Sequence, residues 1–162
     1  MNILMVCLGN ICRSPLAEGI LQSKLSNVSE DRGEKKNSTK YFVDSAGTAA
    51  YHVGELPDKR SIAVAKKHGI DLTKQRARKF SAADFDTFDL IFAMDASNYQ
   101  DILDLATTEN DKEKVHLILD ELQLSTHKEV PDPYYGGEQG FENVFQMLDK
   151  SCAIIATKID TL

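Results

Sequence analysis

The chain has no tryptophan, four prolines and three cysteines among its 162 residues. An odd number of cysteines leaves a free thiol and does not form the disulfide framework of a small secreted protein. The cysteines lack zinc-ligand spacing and the four histidines are scattered, so we expect neither a metal site nor a cofactor. No apolar run approaches the length of a membrane span and no basic segment precedes the short apolar start. The sequence therefore predicts a cytoplasmic protein without membrane contact.

The charge balance is acidic, with a formal net charge of −6 at pH 7. This balance argues against a nucleic-acid partner, because such proteins carry basic patches. A local anion pocket remains compatible with it, since one arginine and a helix N-terminus act over short distances. We expect residues 1–162 to form a single domain with one core. The polar segment 27–40 has no apolar periodicity and is predicted to be a surface loop.

Short apolar runs and helical patterns alternate along the chain. The apolar runs predict buried parallel strands at Asn2–Val6, Tyr41–Asp44, Leu90–Ala93 and Val115–Leu119. Helical patterns cover Pro15–Leu25, Asp58–His68, Ser97–Ala106 and an apolar stripe from Phe141 to Ile159. We expect an α/β fold: a three-layer sandwich in which helices flank a central, twisted, four-stranded parallel sheet.

Helix ends and one cysteine add local expectations. Ser14 is a plausible N-cap for the first helix, with Pro15 at the first helical position. Gly69 is placed to end the second helix. Cys152 lies on the apolar stripe of the last helix, where a small buried hydrophobic residue is the favoured interpretation over a reactive thiol.

The first strand runs directly into the segment Cys7-Leu-Gly-Asn-Ile-Cys-Arg13, followed by Ser14-Pro15. A cysteine and an arginine five residues apart form a loop whose N–H groups can converge on an anion. Those groups, the following helix and Arg13 all favour the Cys7 thiolate. The planar guanidinium also matches two phosphate oxygens at once. This pattern predicts a phosphate-binding loop after the first strand and phosphoryl transfer through Cys7.

The other loop residues fit an anion site in different ways. Gly9 allows close approach of the backbone, and Asn10 tolerates a positive φ. Leu8, Ile11 and Cys12 contribute backbone N–H groups. The alternative is that Cys7 is only a buried cysteine at a strand end and Arg13 a surface charge. The preceding strand, the internal Gly-Asn and the following Ser-Pro favour the catalytic interpretation.

A thiolate nucleophile needs a partner that protonates the leaving oxygen. Asp132 is the best candidate, because Pro131 and Pro133 stiffen the backbone on both sides. Tyr134 and Tyr135 are placed to wall a slot for an aromatic leaving group. From this segment alone, a proline-rich turn with solvated tyrosines is the favoured interpretation.

Taken together, these two segments resemble the low-molecular-weight protein tyrosine phosphatase family. Other phosphatases with this loop keep it deep in the sequence with the acid upstream, whereas here the order is reversed. The matching segments follow the family order: Cys7–Pro15, Asp44-Ser-Ala-Gly47, Lys67-His-Gly-Ile70, Phe88-Asp89, Met94-Asp95-Ala-Ser-Asn98 and Asp132-Pro-Tyr-Tyr135.

The resemblance implies the central roles of the site. Cys7 would be the nucleophile, Arg13 the clamp on the transition state and Asp132 the general acid. Asp95 matches a family aspartate, for which a structural role is favoured over direct chemistry.

The resemblance also implies supporting residues. Ser14 would stabilise the thiolate, Asn10 would brace the loop, and His68 would support both from behind. Cys12 matches a second loop cysteine that can form a reversible disulfide with the nucleophile, with simple packing beneath the loop as the alternative. Tyr51 falls at the pocket rim in the family, with an ordinary surface tyrosine as the alternative.

The expected activity is hydrolysis of phosphotyrosine on proteins by a monomer. Inorganic phosphate would be both product and competitive ligand. One alternative is a protein arginine phosphatase on the same scaffold, but those relatives carry threonine where this chain has Ile11. A thioredoxin-coupled arsenate reductase is disfavoured, because no cysteine lies between Cys12 and Cys152. The last alternative is a phosphotyrosine-binding module without catalysis.

Overall fold

The structure, a computed structural model, describes residues 1–31, 40–123 and 129–162, with only the backbone described for 29–31. The strands are β1 (Asn2–Cys7), β2 (Phe42–Gly47), β3 (Leu90–Ala93) and β4 (Val115–Leu117). The α-helices are α1 (Arg13–Asp31), α2 (Lys59–Lys67), α3 (Asp84–Thr87), α4 (Ala96–Leu103), α5 (Glu109–Glu113) and α6 (Gly137–Asp160). Single 3-10 turns cover Ile118–Leu122 and Pro133–Tyr135.

The four strands form one parallel sheet in the order β2-β1-β3-β4. Successive side chains of a strand point to opposite faces, so the central strand β1 contributes to two cores. Ile3 and Met5 pack into the cluster that contains α1, α2 and α6, whereas Leu4 and Val6 pack into the cluster with α3 and α4. The predicted three-layer α/β sandwich is confirmed.

The apolar stripe of α6 is confirmed as a core face that packs against α1. Cys152 lies on it, fully buried, and burial raises the pKa of its thiol to about 12. The predicted interpretation of Cys152 as a small buried hydrophobic residue is therefore correct. Among the described residues, no helix combines the length and apolar character needed to cross a membrane.

Two predicted boundaries at α1 are wrong. The helix begins at Arg13, so Ser14 lies within its first turn and does not act as its N-cap. The helix also continues to Asp31, so residues 27–31 of the predicted surface loop are helical. No glycine or proline interrupts the chain there before Gly33, which lets the helix extend. Residues 32–39 of that predicted loop lie outside the described residues.

Other boundaries agree or shift by a few residues. Asp58 caps α2, accepting a hydrogen bond from the Arg60 backbone N–H at 2.8 Å. Gly69 follows this helix with a φ of 76°, as predicted for a glycine that ends a helix. Strand β4 is shorter than predicted, because the chain turns into a 3-10 helix at Ile118.

Candidate active site

The loop between β1 and α1 lies at the carboxyl edge of the sheet. Its carbonyl groups at Cys7, Leu8 and Ile11 accept hydrogen bonds from the surrounding backbone. The donors are the N–H groups of Thr48, Ala49 and Asp58, at 2.9, 3.0 and 2.7 Å. In a trans peptide the carbonyl and the following N–H point in opposite directions. The corresponding loop N–H groups therefore point away from these partners, as a cup for an anion requires.

Asn10 holds the turn of this loop. Its φ is 55°, as the sequence predicts for this position. The Nδ2 group donates to Ser14 Oγ and to Ser45 Oγ, both at 2.9 Å, while Oδ1 accepts from the Arg78 backbone N–H at 3.0 Å. These three contacts fix a buried side chain to α1, to β2 and to the segment before α3.

The Cys7 sulfur lies 3.0 Å from Ser14 Oγ at the buried end of β1. The start of α1 at Arg13 is what places this hydroxyl beneath the sulfur. Cys12 is the other thiol of the loop. Burial, with the negative charges of Asp58 and Cys7, raises the pKa of Cys12 to about 12. Cys12 is therefore held as a thiol, packed in the core beside the loop.

Arg13 is 3% exposed and is fixed from behind. Its Nη1 donates to Asp95 Oδ2 at 2.6 Å and to the Val130 carbonyl at 3.0 Å. Burial opposes the charge of Arg13, but the neighbouring Cys7 and Asp95 outweigh this effect and raise its pKa. Asp95 also caps α4 by accepting from the Asn98 backbone N–H at 2.7 Å. The start of α4 thus anchors the guanidinium.

Asp132 precedes the 3-10 turn at Pro133–Tyr135 and is exposed. Its Oδ1 accepts from the Tyr134 backbone N–H at 3.1 Å. Arg60 ties this segment to α2, since its Nη1 donates to the Tyr134 carbonyl at 2.8 Å. The same guanidinium lies over the rings of Tyr134 and Phe141, at 5.1 and 4.6 Å, and pairs with Asp58.

A cavity of about 310 Å³ opens over the loop and unites most of the predicted site. Tyr51 and Tyr135 form its rim and are 75% and 93% exposed. It is lined by Cys7, Leu8, Gly9, Ile11, Cys12, Arg13, Tyr51, His52, Asp132, Tyr134 and Tyr135. Asn10, Ser14 and Asp95 do not line this cavity. Ser14 contacts Cys7 and Asp95 contacts Arg13, both of which line it, and Asn10 is hydrogen-bonded to Ser14. The predicted residues from both ends of the sequence therefore meet at one place.

The structure does not bring His68 against Ser14 or Asn10, where the resemblance implied it. Its ring stacks on Phe145 with centroids 4.0 Å apart, and its Nε2 lies 3.1 Å from Glu142 Oε1. His68 follows α2, which packs against α6, and its ring contacts two residues of α6. The support of Asn10 comes instead from Ser45, which donates to Glu18 Oε2 at 2.5 Å.

Sequence reasoning missed three residues of the site. His52 lines the cavity beside Tyr51, and adjacency to that rim residue was the available signal. Glu18 is four residues after Ser14, which places both on one face of α1. Ser45 stands within the matched Asp44–Gly47 segment, at the carboxyl end of β2.

Comparison with known proteins identifies the family. The family model for low molecular weight phosphotyrosine protein phosphatase matches residues 2–161. The phosphatase of that name from Schizosaccharomyces pombe is 43% identical over 151 residues, covering 93% of this chain and 92% of the relative. The Homo sapiens phosphatase of that name is 36% identical over 160 residues, covering 97% and 94%.

Solved structures agree in fold over the whole chain. A protein tyrosine phosphatase from Entamoeba histolytica has a TM-score of 0.88 and 40% identity, covering 99% of this chain and 97% of that one. Drosophila arginine phosphatase has a TM-score of 0.84 and 34% identity, covering 98% and 97%. With the loop, the cavity and these matches in agreement, the chain belongs to the low molecular weight phosphotyrosine protein phosphatase family.

Proposed function

We propose that this protein hydrolyses phosphotyrosine monoesters on proteins through a cysteinyl-phosphate formed on Cys7. The observation that carries the proposal is the cavity over the loop. Cys7 lies at its buried end, with Arg13 and Asp132 in the same lining. Family membership supports a phosphoprotein substrate and cysteine-dependent hydrolysis.

The reaction has two steps. In the first, the Cys7 thiolate attacks phosphorus in line with the ester bond, and an S–P bond forms as the P–O bond breaks. Asp132 gives its proton to the departing phenolate oxygen. In the second, water attacks phosphorus while the Asp132 carboxylate takes its proton. The S–P bond breaks, and inorganic phosphate and the thiolate are released.

Arg13 and the loop N–H groups stabilise the transferring phosphoryl group. Nη1 of Arg13 is engaged by Asp95 and Val130, and the same side chain lines the cavity. The guanidinium can therefore present its other nitrogens to two phosphate oxygens. Donors fixed in advance at a water-poor site stabilise developing charge strongly, because they need not reorganise during the reaction.

The walls of the cavity favour an aryl ester. Tyr51, Tyr134 and Tyr135 flank the opening. Leu8 and Ile11, which belong to the loop, add apolar surface to the lining. A phosphotyrosine side chain is long enough to bring its phosphate to the floor while its ring contacts these walls, whereas phosphoserine is short. Inorganic phosphate, as product, would compete for the same loop.

An arginine phosphatase is the main rival, and the 34% identity to Drosophila arginine phosphatase gives it weight. The apolar side chain of Ile11 favours the aryl ester. Turnover of matched phosphotyrosine and phosphoarginine peptides decides between them: we expect the phosphotyrosine peptide to be hydrolysed faster. A non-catalytic reader would bind the phosphotyrosine peptide tightly without turnover.

The direct test is hydrolysis of p-nitrophenyl phosphate in the presence of a chelator. We expect the wild-type protein to be active and Cys7→Ser to be inactive. A requirement for added metal, or full activity of Cys7→Ser, would overturn the proposal. We further propose that residues 1–162 act as one phosphatase domain, as a monomer in the cytoplasm. A reversible Cys7–Cys12 disulfide stays a prediction.

A further inference from the structure

Basic residues are concentrated in one stretch of this acidic chain. Residues 59–79 hold eight of the 19 lysines and arginines but one of the 25 acidic residues, Asp71. The stretch therefore has a formal charge of +7, whereas the rest of the chain has −13. It comprises α2 and the first part of the connection from α2 to α3. Such a separation of charge is typical of a surface that attracts an oppositely charged partner.

The cavity rim and this basic stretch are joined through their backbones. The Gly54 N–H donates to the Ala77 carbonyl at 2.8 Å, and the Ala77 N–H donates to the Glu55 carbonyl at 2.9 Å. Gly54 and Glu55 closely follow Tyr51 and His52, which line the cavity. The basic residues on both sides of position 77 therefore lie beside the rim.

Lys79 lies close to the phosphate-binding loop. It forms a parallel bridge with Gly47, the last residue of β2, and Gly47 pairs with Cys7 in the sheet. Neighbouring strands are about 4.8 Å apart, so the Lys79 backbone lies about 10 Å from the Cys7 backbone. About three residues of extended peptide span that distance. A substrate whose phosphate reaches Cys7 therefore brings its flanking residues within reach of Lys79.

Three exposed cations of this segment, Lys74, Arg76 and Lys79, form what we call the basic strip. Nη1 of Arg76 donates to the carbonyls of Thr73 and Gln75 at 2.9 and 2.8 Å, which holds the guanidinium at the surface. Among the side chains that the structure describes, no carboxylate forms a salt bridge with any residue of the strip. The three charges are therefore available to a partner.

The carboxylates nearest to the strip are engaged by other groups. Asp71 Oδ1 accepts hydrogen bonds from the backbone N–H and the hydroxyl of Thr73, at 2.8 and 2.6 Å. Glu55 Oε2 lies 2.7 Å from His52 Nδ1. Neither carboxylate neutralises the strip by direct contact, so the surface beside the rim keeps an excess of positive charge.

We propose that the basic strip binds an acidic segment of the phosphoprotein substrate, with aspartate or glutamate residues that begin about three positions from the phosphotyrosine. This inference rests on the proposed function. The place of the strip beside the opening favours a segment of the same molecule whose phosphotyrosine occupies the cavity. At physiological ionic strength, charges are screened over about 8 Å, so the strip attracts this segment although the chain as a whole is acidic.

The test compares phosphotyrosine peptides that differ only in flanking charge. One peptide has glutamates about three to six positions from the phosphotyrosine, and its partner has glutamines there. Each pair is made with these residues before and after the phosphotyrosine. We expect the wild-type kcat/KM to be about threefold to tenfold higher for the glutamate peptide on one of the two sides, because exposed ion pairs contribute modestly. The difference should shrink in about 0.5 M salt.

Two triple variants separate the strip from the charge of the whole chain. The strip variant is Lys74→Gln/Arg76→Gln/Lys79→Gln. The matched control removes the same charge from exposed positions on α5 and α6 and is Lys112→Gln/Lys150→Gln/Lys158→Gln. We expect the strip variant to lose the preference for glutamate peptides while it hydrolyses p-nitrophenyl phosphate like wild type. The control should keep the preference, and circular dichroism with thermal unfolding establishes that both are folded.

A charge reversal distinguishes docking from an indirect effect on the fold. In Lys74→Glu/Lys79→Glu, we expect a phosphotyrosine peptide flanked by lysines to become a better substrate than the glutamate peptide. A variant that had only lost stability would not gain a preference of opposite sign.

Peptide binding to Cys7→Ser, followed by fluorescence anisotropy, measures the same preference without turnover. Equal affinity for glutamate and glutamine peptides on both sides would overturn the proposal, as would an equal loss in the control variant. Without a peptide preference, strip-dependent sedimentation with vesicles of equal parts phosphatidylserine and phosphatidylcholine would indicate a membrane contact. Salt-sensitive, strip-dependent self-association would indicate a second copy of the chain. Either result would overturn the proposal, whereas an inactive wild type would reject the proposed function.

Discussion

The Arg13 guanidinium and the Asp95 carboxylate lie 2.6 Å apart, although 82 residues separate them in the sequence. Asp95 stands at the end of β3, next to the end of β1 in the parallel sheet, so neighbouring strands deliver the two groups to one edge. The Arg13 side chain is almost completely buried in this contact. It turns a flexible side chain into a fixed donor for an anion at the loop.

Asp95→Asn should therefore weaken catalysis while sparing the fold. Asparagine is as good an N-cap as aspartate, so α4 keeps its cap and loses only the charge beside Arg13. We expect kcat/KM for p-nitrophenyl phosphate to fall by about tenfold to a hundredfold. Asp101→Asn, exposed on the same helix, is the control. Wild-type kinetics in Asp95→Asn would show that the ion pair does not position Arg13.

Asp132→Asn should have an effect that depends on the leaving group. Without a proton donor, a poor leaving group such as phenolate departs slowly, whereas p-nitrophenolate needs less help. For phenyl phosphate we expect kcat to fall by about a hundredfold to ten-thousandfold. For p-nitrophenyl phosphate the loss should be clearly smaller. Equal losses for both esters would contradict a general-acid role.

Arg60 connects α2 to the segment that carries Asp132, so its replacement should resemble a mild Asp132 variant. In Arg60→Met the hydrogen bond to the Tyr134 carbonyl and the stacking on the Tyr134 ring are lost. We expect kcat to fall by about threefold to tenfold, again more for phenyl phosphate. Lys59→Met, the neighbouring residue, controls for loss of charge. An equal loss of kcat for both esters would show that Arg60 does not act through Asp132.

Glu18 should make the fold less stable as the pH rises. Its folded-state pKa is raised by burial to about 7, above the ordinary glutamate value of 4.5, so between these values the folded protein binds more protons than the unfolded chain. Its contribution therefore falls between about pH 4.5 and 7, by roughly 1 to 3 kcal/mol. Urea unfolding at pH 5 and pH 8 should show this fall in wild type and a smaller one in Glu18→Gln. Identical pH dependence in both would contradict burial of the charge.

The sequence was most informative where chemistry and spacing are local. The loop from Cys7 to Arg13, the turn at Asn10 and the four strands follow from neighbouring residues, and each is found where predicted, with ends shifted by at most three residues. Pairings across the fold are different. The contact of Glu18 with Ser45 joins α1 to β2, and no local pattern announces it.

The contacts of His68 are also set by packing between elements that are distant in the sequence. The Gly69 beside it correctly predicts a helix end, but a helix end does not specify which way the preceding ring points. Packing of α2 against α6 decides that, and it places the ring on Phe145. Likewise, the segment around Asp132 taken alone predicts a solvated turn. In the folded chain, Asp132 and Cys7 line the same cavity.

The most direct measurement is chemical quench of the enzyme during turnover, followed by mass spectrometry of the phosphorylated peptide. With p-nitrophenyl phosphate and Asp132→Asn, which slows the activation of water, we predict phosphate attached to the sulfur of Cys7. Cys7→Ser, quenched in parallel, should carry none on that peptide. Steady turnover without a phosphoenzyme, or phosphate on another residue, would contradict the account.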